Sequence, residues 1–193
     1  MSLYEMIKMP KDLYATLSDN TKPPLPQERR TQLLARLEEE LQDRVASEFR
    51  PLRLPDDFKR LCALTNALEG PGLPGTNYGY MPHAFDGLDA VCESLKKHSA
   101  DQMIKESCLD YLDYKVAVSI WMGGTSGAIS GGHWLCWRKD NSTKSWTWRW
   151  AARLGWENCP RNYDNVMELL DKHCKDWLSN IIQKYGDLGQ DDL

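Results

Sequence analysis

Between His133 and Trp150 the chain reads HWLCWRKDNSTKSWTWRW and carries five of its eight tryptophans. Trp146, Trp148 and Trp150 occupy every second position, with Thr147 and Arg149 between them, the period of a strand with one apolar face. Upstream, His133, Leu135 and Trp137 form one alternating set and Trp134, Cys136 and Arg138 the other. The polar segment Lys139 to Lys144 separates the two runs, so the whole predicts a β-hairpin. Setting Trp137 opposite Trp146, Leu135 opposite Trp148 and His133 opposite Trp150 gathers the rings on one side, whereas a slip of one residue mixes the faces. Each buried aromatic removes roughly 150–250 Å² from water, so an exposed layer of them would be sticky. The rings are therefore expected to form core. The opposite face, with Trp134, Cys136, Thr147 and Arg149, is the better candidate for outside contact.

Composition narrows the function classes. A chain of 193 residues suits one domain with appendages. Its net charge of −4 and the absence of a basic block argue against nucleic acid as a partner, because phosphate neutralisation needs clustered cations. The N-terminus MSLYEMIKMPKDLYATLSDN lacks the apolar run of a signal peptide, and no stretch approaches the ~18 apolar residues of a membrane span. The expected location is the cytoplasm, or the nucleus. Six cysteines, at Cys62, Cys92, Cys108, Cys136, Cys159 and Cys174, never form a Cys-x-x-Cys pair and read as reduced, mostly buried thiols.

Along the chain, residues 1–26 read as a helical arm and a Pro-rich linker ending in TKPPLPQ. Leu33, Leu37, Leu41, Val45 and Phe49, widened by Leu34, then make an amphipathic helical stripe. It packs on its own domain, or serves as a partner helix or homodimer seam. In RLPDDFKRLCALTNALEGPG, Pro55, Asp56 and Asp57 mark a helix start, Phe58, Leu61, Cys62 and Leu64 its apolar face, and Gly70 to Gly72 its stop. A turn-rich segment with Tyr78, Tyr80 and His83 follows, then a helical stretch from Leu88 to Cys108. KVAVSIWMGG alternates as a strand. After the hairpin, Val166 to Tyr185 forms a closing helix, and 187–193 an acidic tail. Helices, contiguous strands and a final helix imply α+β architecture, an antiparallel sheet with helices packed on it, in one domain over 27–186.

The ordered segments LPDDFKRLCALTNALEG, FDGLDAV, VAVSIWMGG, the Trp hairpin and YDNVMELLDKHCKDWL resemble the SUKH superfamily, which includes fungal cell-wall and signalling scaffold proteins and bacterial immunity proteins that neutralise toxins. The resemblance spans Leu54 to about Leu178. It departs at Asn66, which Ala67 follows where the family pattern has glycine. It implies an α+β fold that supports protein recognition without catalysis, and it carries over no fixed set of binding residues.

Chemistry by residue type adds little to that. The loop GGTSGAISGGH, with Ser126, Ser130 and His133, matches neither a phosphate-binding motif nor a nucleophile elbow. His83, His98, His133 and His173 lack metal-ligand spacing. No catalytic residue, metal or cofactor is expected. The expected function is a non-enzymatic protein-binding module, a regulatory scaffold or an immunity-type toxin inhibitor. Its contacts would come from Tyr78, Tyr80, His83, Ser126, His133 and Arg149, on loops and a polar strand face beside a rigid sheet. The alternative is a carbohydrate-binding protein that stacks sugars on tryptophan; a serine hydrolase using Ser126 and His133 is a distant third.

Overall fold

The computed structural model describes residues 21–69, 83–99, 102, 114–122, 132–140, 142–153 and 161–169. The arm before Thr21, Tyr78, Tyr80, Ser126, most of the closing helix and the acidic tail lie outside them. In chain order the elements are β1 (Thr21–Lys22), α1 (Gln27–Gln42), a 3-10 turn (Ser47–Phe49), α2 (Asp56–Leu64), β2 (Ala67–Glu69), β3 (His83–Phe85) and α3 (Leu88–Lys97). Four longer or later strands follow: β4 (Tyr114–Met122), β5 (Gly132–Lys139), β6 (Trp146–Arg153) and β7 (Arg161–Tyr163). The fold is α+β, with antiparallel sheets ordered β1-β2-β3 and β4-β5-β6-β7.

The stripe of α1 is spent inside its own domain. Leu33, Leu37, Leu41 and Val45 are buried in the main core together with Phe58, Leu61, Leu95 and Trp150. These residues of the stripe pack on their own domain, while Leu34 and Phe49 are only partly buried against the same core. One turn apart on the same helix, Glu38 and Gln42 then stitch down the extended segment 52–54. The Gln42 side chain donates to the Leu52 carbonyl (2.7 Å) and accepts the Leu52 N–H (2.9 Å). Glu38 is only 9% exposed, and it accepts from Arg53 (2.8 Å), Lys59 (2.9 Å) and the Leu54 N–H (3.0 Å). Burial pushes its carboxyl up, but the bonds from Lys59, Arg53 and Leu54 outweigh that and hold it below the usual carboxylate range.

α2 ends earlier than its glycine stop suggests. The Thr65 hydroxyl reaches the Lys22 carbonyl (2.8 Å) and accepts the Ala67 N–H (3.2 Å), which turns the chain into β2. Residues 67–69 are therefore strand, and Thr21 and Lys22, expected as linker, pair with Leu68 and Ala67. Asn66 accepts the Leu88 N–H through Oδ1 (3.3 Å) at the start of α3. Gly87 stands directly against it with φ +100°, and a Cβ there would overlap the Asn66 carbonyl oxygen. Asn66 and the glycine of FDGLDAV thus meet in space. α3 itself ends at Lys97, Gln102 is again helical, and the rest of the expected stretch to Cys108 lies outside the described residues; Arg44 donates to the carbonyls of Leu95 and of His98 (2.6 Å).

The tryptophan hairpin forms, with a register shifted by two residues from the expected one. Trp137 pairs with Trp148, Leu135 with Trp150, His133 with Ala152 and Lys139 with Trp146. The turn is centred one residue further along than the expected pairing places it: Asp140 N–H donates to the Ser145 carbonyl (2.8 Å), and Lys144 takes a positive φ of 59° inside the turn. An even shift keeps every side chain on its face, so the core assignment holds for Trp148 (8% exposed) and Trp150 (1%), while Trp146 stays half-buried.

The opposite face differs from expectation. Trp134 (2% exposed) and Cys136 (0%) are buried there with Tyr114, Ala117 and Ala151 in a second, smaller apolar cluster. That face is a second core layer, and of the four residues expected to look outward only Thr147 and Arg149 keep part of their surface. Among the described residues the thiols of Cys62, Cys92 and Cys136 are free and buried. Burial pushes Cys62 up to about 12 and Cys92 up to about 11, which leaves both as unreactive thiols near neutrality. Among the described residues no helix is long and apolar enough to cross a membrane.

Candidate protein-binding surface

Position on the sheet decides how much of each tryptophan is left for outside contact. At the inner end of β6, the Trp150 indole N–H donates to Asp57 Oδ2 (2.7 Å), and the same oxygen accepts the Val166 N–H (2.8 Å). Asp57 was expected as a helix-start carboxylate; it also ties α2, β6 and the helical turn at 166–169 into one joint. The Trp148 indole N–H donates to the Arg53 carbonyl (2.6 Å). Both rings have their polar atom satisfied internally, as core residues require.

At the outer end the environment opens. Trp146 packs edge-on against Phe49 at 4.8 Å, and Trp137 against Trp148 at 5.4 Å; Phe49, Trp137 and Trp146 are all half-buried. The exposed Lys115, in the strand irregularity between Tyr114 and Val116, places its ammonium 5.6 Å from the Trp146 ring centre. Sequence reasoning missed Phe49 and Lys115 as neighbours of this ring. A bulge and a 3-10 turn bring them there, and neither leaves a periodic signal.

Of the six expected contact residues, Tyr78, Tyr80 and Ser126 lie outside the described residues, and His83 is placed as backbone in β3, opposite Glu69. His133 is corrected: it pairs with Ala152 in mid-sheet at 1% exposure, which removes it from the surface. Arg149 keeps part of its surface but is heavily engaged. Its guanidinium meets Asp140 at 2.9 Å and Asp164 at 3.3 Å, and donates to the Trp148 carbonyl at 3.2 Å. It acts as a strut between the hairpin turn and the exit of β7.

Asp140 anchors the other end of that strut. Its carboxylate accepts from the Ser142 hydroxyl, the Thr143 and Ser142 backbone N–H groups and Arg149, which together hold it well below the usual carboxylate range. Among the described residues the turn is thus tied together by hydrogen bonds to one carboxylate. Among the described residues no three His, Cys, Asp or Glu side chains converge as a metal site would need. What the arrangement offers is a hairpin end with half-buried rings and cations. No protein-family model matches the chain, and neither the curated proteins nor the solved structures contain a match.

Proposed function

We propose that the chain is a non-enzymatic, SUKH-like protein-binding module of the cytoplasm or nucleus, serving as a regulatory scaffold or an immunity-type toxin inhibitor. The observation that carries this reading is the inward commitment of Trp148 and Trp150, whose indole N–H groups are bonded to Arg53 and Asp57. Rings held in that way serve as scaffold for the sheet, and recognition then falls to its rim, the hairpin end and Arg149, with Tyr78, Tyr80 and Ser126 kept from the sequence as further contact residues. The meeting of Asn66 with Gly87 supports the SUKH-like element order, because it gives two of the resembling segments a shared structural task.

Carbohydrate stacking is the second reading, and the half-buried Trp146 beside Phe49 is the ring that would serve it. Tryptophan fluorescence titrated with a glycan panel separates the two. Saturable quenching by a sugar, lost in Trp146→Ala, would favour the carbohydrate reading. Silence across the panel, with stoichiometric capture of a protein from native lysate that weakens in Tyr80→Ala with Arg149→Ala, is the outcome expected here.

A further inference from the structure

Lys115 meets Trp146 where an irregularity of β4 comes over the hairpin end. Lys115 lies in the register shift between Tyr114 and Val116, and its exposed side chain sets the ammonium 5.6 Å from the Trp146 ring centre. Phe49, from the 3-10 turn, packs edge-on to the same indole at 4.8 Å. Lys139 stands directly opposite Trp146 in β5, so its side chain leaves the sheet on the Trp146 face. The four residues form one patch on the face of β4, β5 and β6 at the turn end, two half-buried rings with two lysines on the same side.

The ring prepares Lys115 for a carboxylate. A lysine stem is flexible, and binding normally has to immobilise it; resting on the indole removes part of that cost beforehand. The ammonium also takes up an indole face on which a sugar would have to stack. Neither Lys115 nor Lys139 makes an ion pair among the described residues, although the chain carries a net charge of −4. Of the acids nearby, Asp140 is turned to Arg149 and its own turn, and Glu48 precedes Phe49 in the 3-10 turn. Two copies paired through this patch about a two-fold axis would set lysine against lysine, which disfavours a homodimer here.

We propose that Lys115, Lys139, Trp146 and Phe49 form a docking patch for an acidic segment of a partner protein in which a carboxylate lies next to an apolar side chain. The carboxylate meets the ammonium groups, and the apolar group covers the part of the rings left half-buried. This rests on the protein-binding reading above and names the chemistry of the partner. The test titrates a labelled peptide of glutamates around a central leucine onto the full chain by fluorescence anisotropy. In parallel it follows the Trp146 indole N–H resonance, assigned by its absence in Trp146→Phe. Saturable binding that falls with salt, a Trp146 shift along the same isotherm and about a tenfold loss in Lys115→Glu are expected. Lys115 is exposed, so that variant should keep the wild-type far-ultraviolet dichroism. Arg60→Glu makes the same charge change at an exposed position of α2, the helix that meets the inner end of β6, and should bind as the wild type does. Absent saturation, an equal loss in Arg60→Glu, an unmoved Trp146 resonance, equal binding of a lysine–leucine peptide or of an oligouronate, or self-association through this patch would overturn the proposal. If the peptide fails to bind while wild type and Lys115→Glu capture the same protein partner, the patch falls and the protein-binding reading stands.

Discussion

At Trp150, β6 has Leu135 on one side and Tyr163 on the other, and the indole is bonded to Asp57 at 2.7 Å. At Trp146, in the same strand and on the same face, Lys139 is the neighbour on one side and, among the described residues, no strand pairs on the other, with Phe49 and Lys115 around the ring. Residue type and periodicity are identical at the two ends. The difference comes from what packs against them among the described residues: α2 and the turn at 166–169 converge on the inner end, and the 3-10 turn on the outer one. An aromatic stripe therefore grades from core to half-buried along one strand.

Truncation at each end measures that gradient. Trp150→Ala should cost about 3–5 kcal/mol in denaturant unfolding, through lost burial and the cavity left among Phe58 and Leu135. Asp57→Ala should cost about 2–3 kcal/mol, because the Trp150 and Val166 N–H groups lose a charged acceptor together. Trp146→Ala should cost only about 1 kcal/mol, since the ring is half-buried and its contacts are with Phe49 and Lys115. A cost for Trp146→Ala equal to that for Trp150→Ala would break the comparison.

Acid titration adds a finer probe of the outer end. The Asp140 carboxyl is held low in the folded protein, so its contribution is present above the unfolded value near ~4 and is lost as pH falls from there through the folded value. Asp140→Asn should lower the neutral plateau and flatten the acid limb, so that variant and wild type converge well below pH ~4. Glu38, also held below its usual value, has the same sign. Glu38→Gln should likewise lower the plateau, as Lys59, Arg53 and the Leu54 N–H lose a buried anion, measurable by thermal unfolding at pH 7.

Much of this was legible in the residues, and the exceptions have physical causes. The stripe of α1, the start of α2 at Pro55, the β4 strand and the hairpin follow directly from periodicity. The register did not, because a two-residue slide leaves every face unchanged, and the deciding contact is the Asp140 to Ser145 closure within the turn. The second core layer had a signal that alternation obscured: Val116 to Ile120 is apolar or small at every position, as in a strand buried on both sides. The short strands at 21–22, 67–69 and 83–85 carry too few residues to show a period, and they owe their existence to Thr65 and Asn66. For the site, Arg149 was chosen for its charge, and the strand alone could not show that Asp140 and Asp164 would come to meet it.

The indole bonds of β6 also solve a problem that greasy packing cannot. Alignments of the hairpin that differ by an even step would hide the same rings equally well, so oil-like attraction alone is indifferent among them. Hydrogen bonds at the Arg53 carbonyl and at Asp57 occur at fixed heights along the strand, and they act as detents that let the ribbon click into a single position.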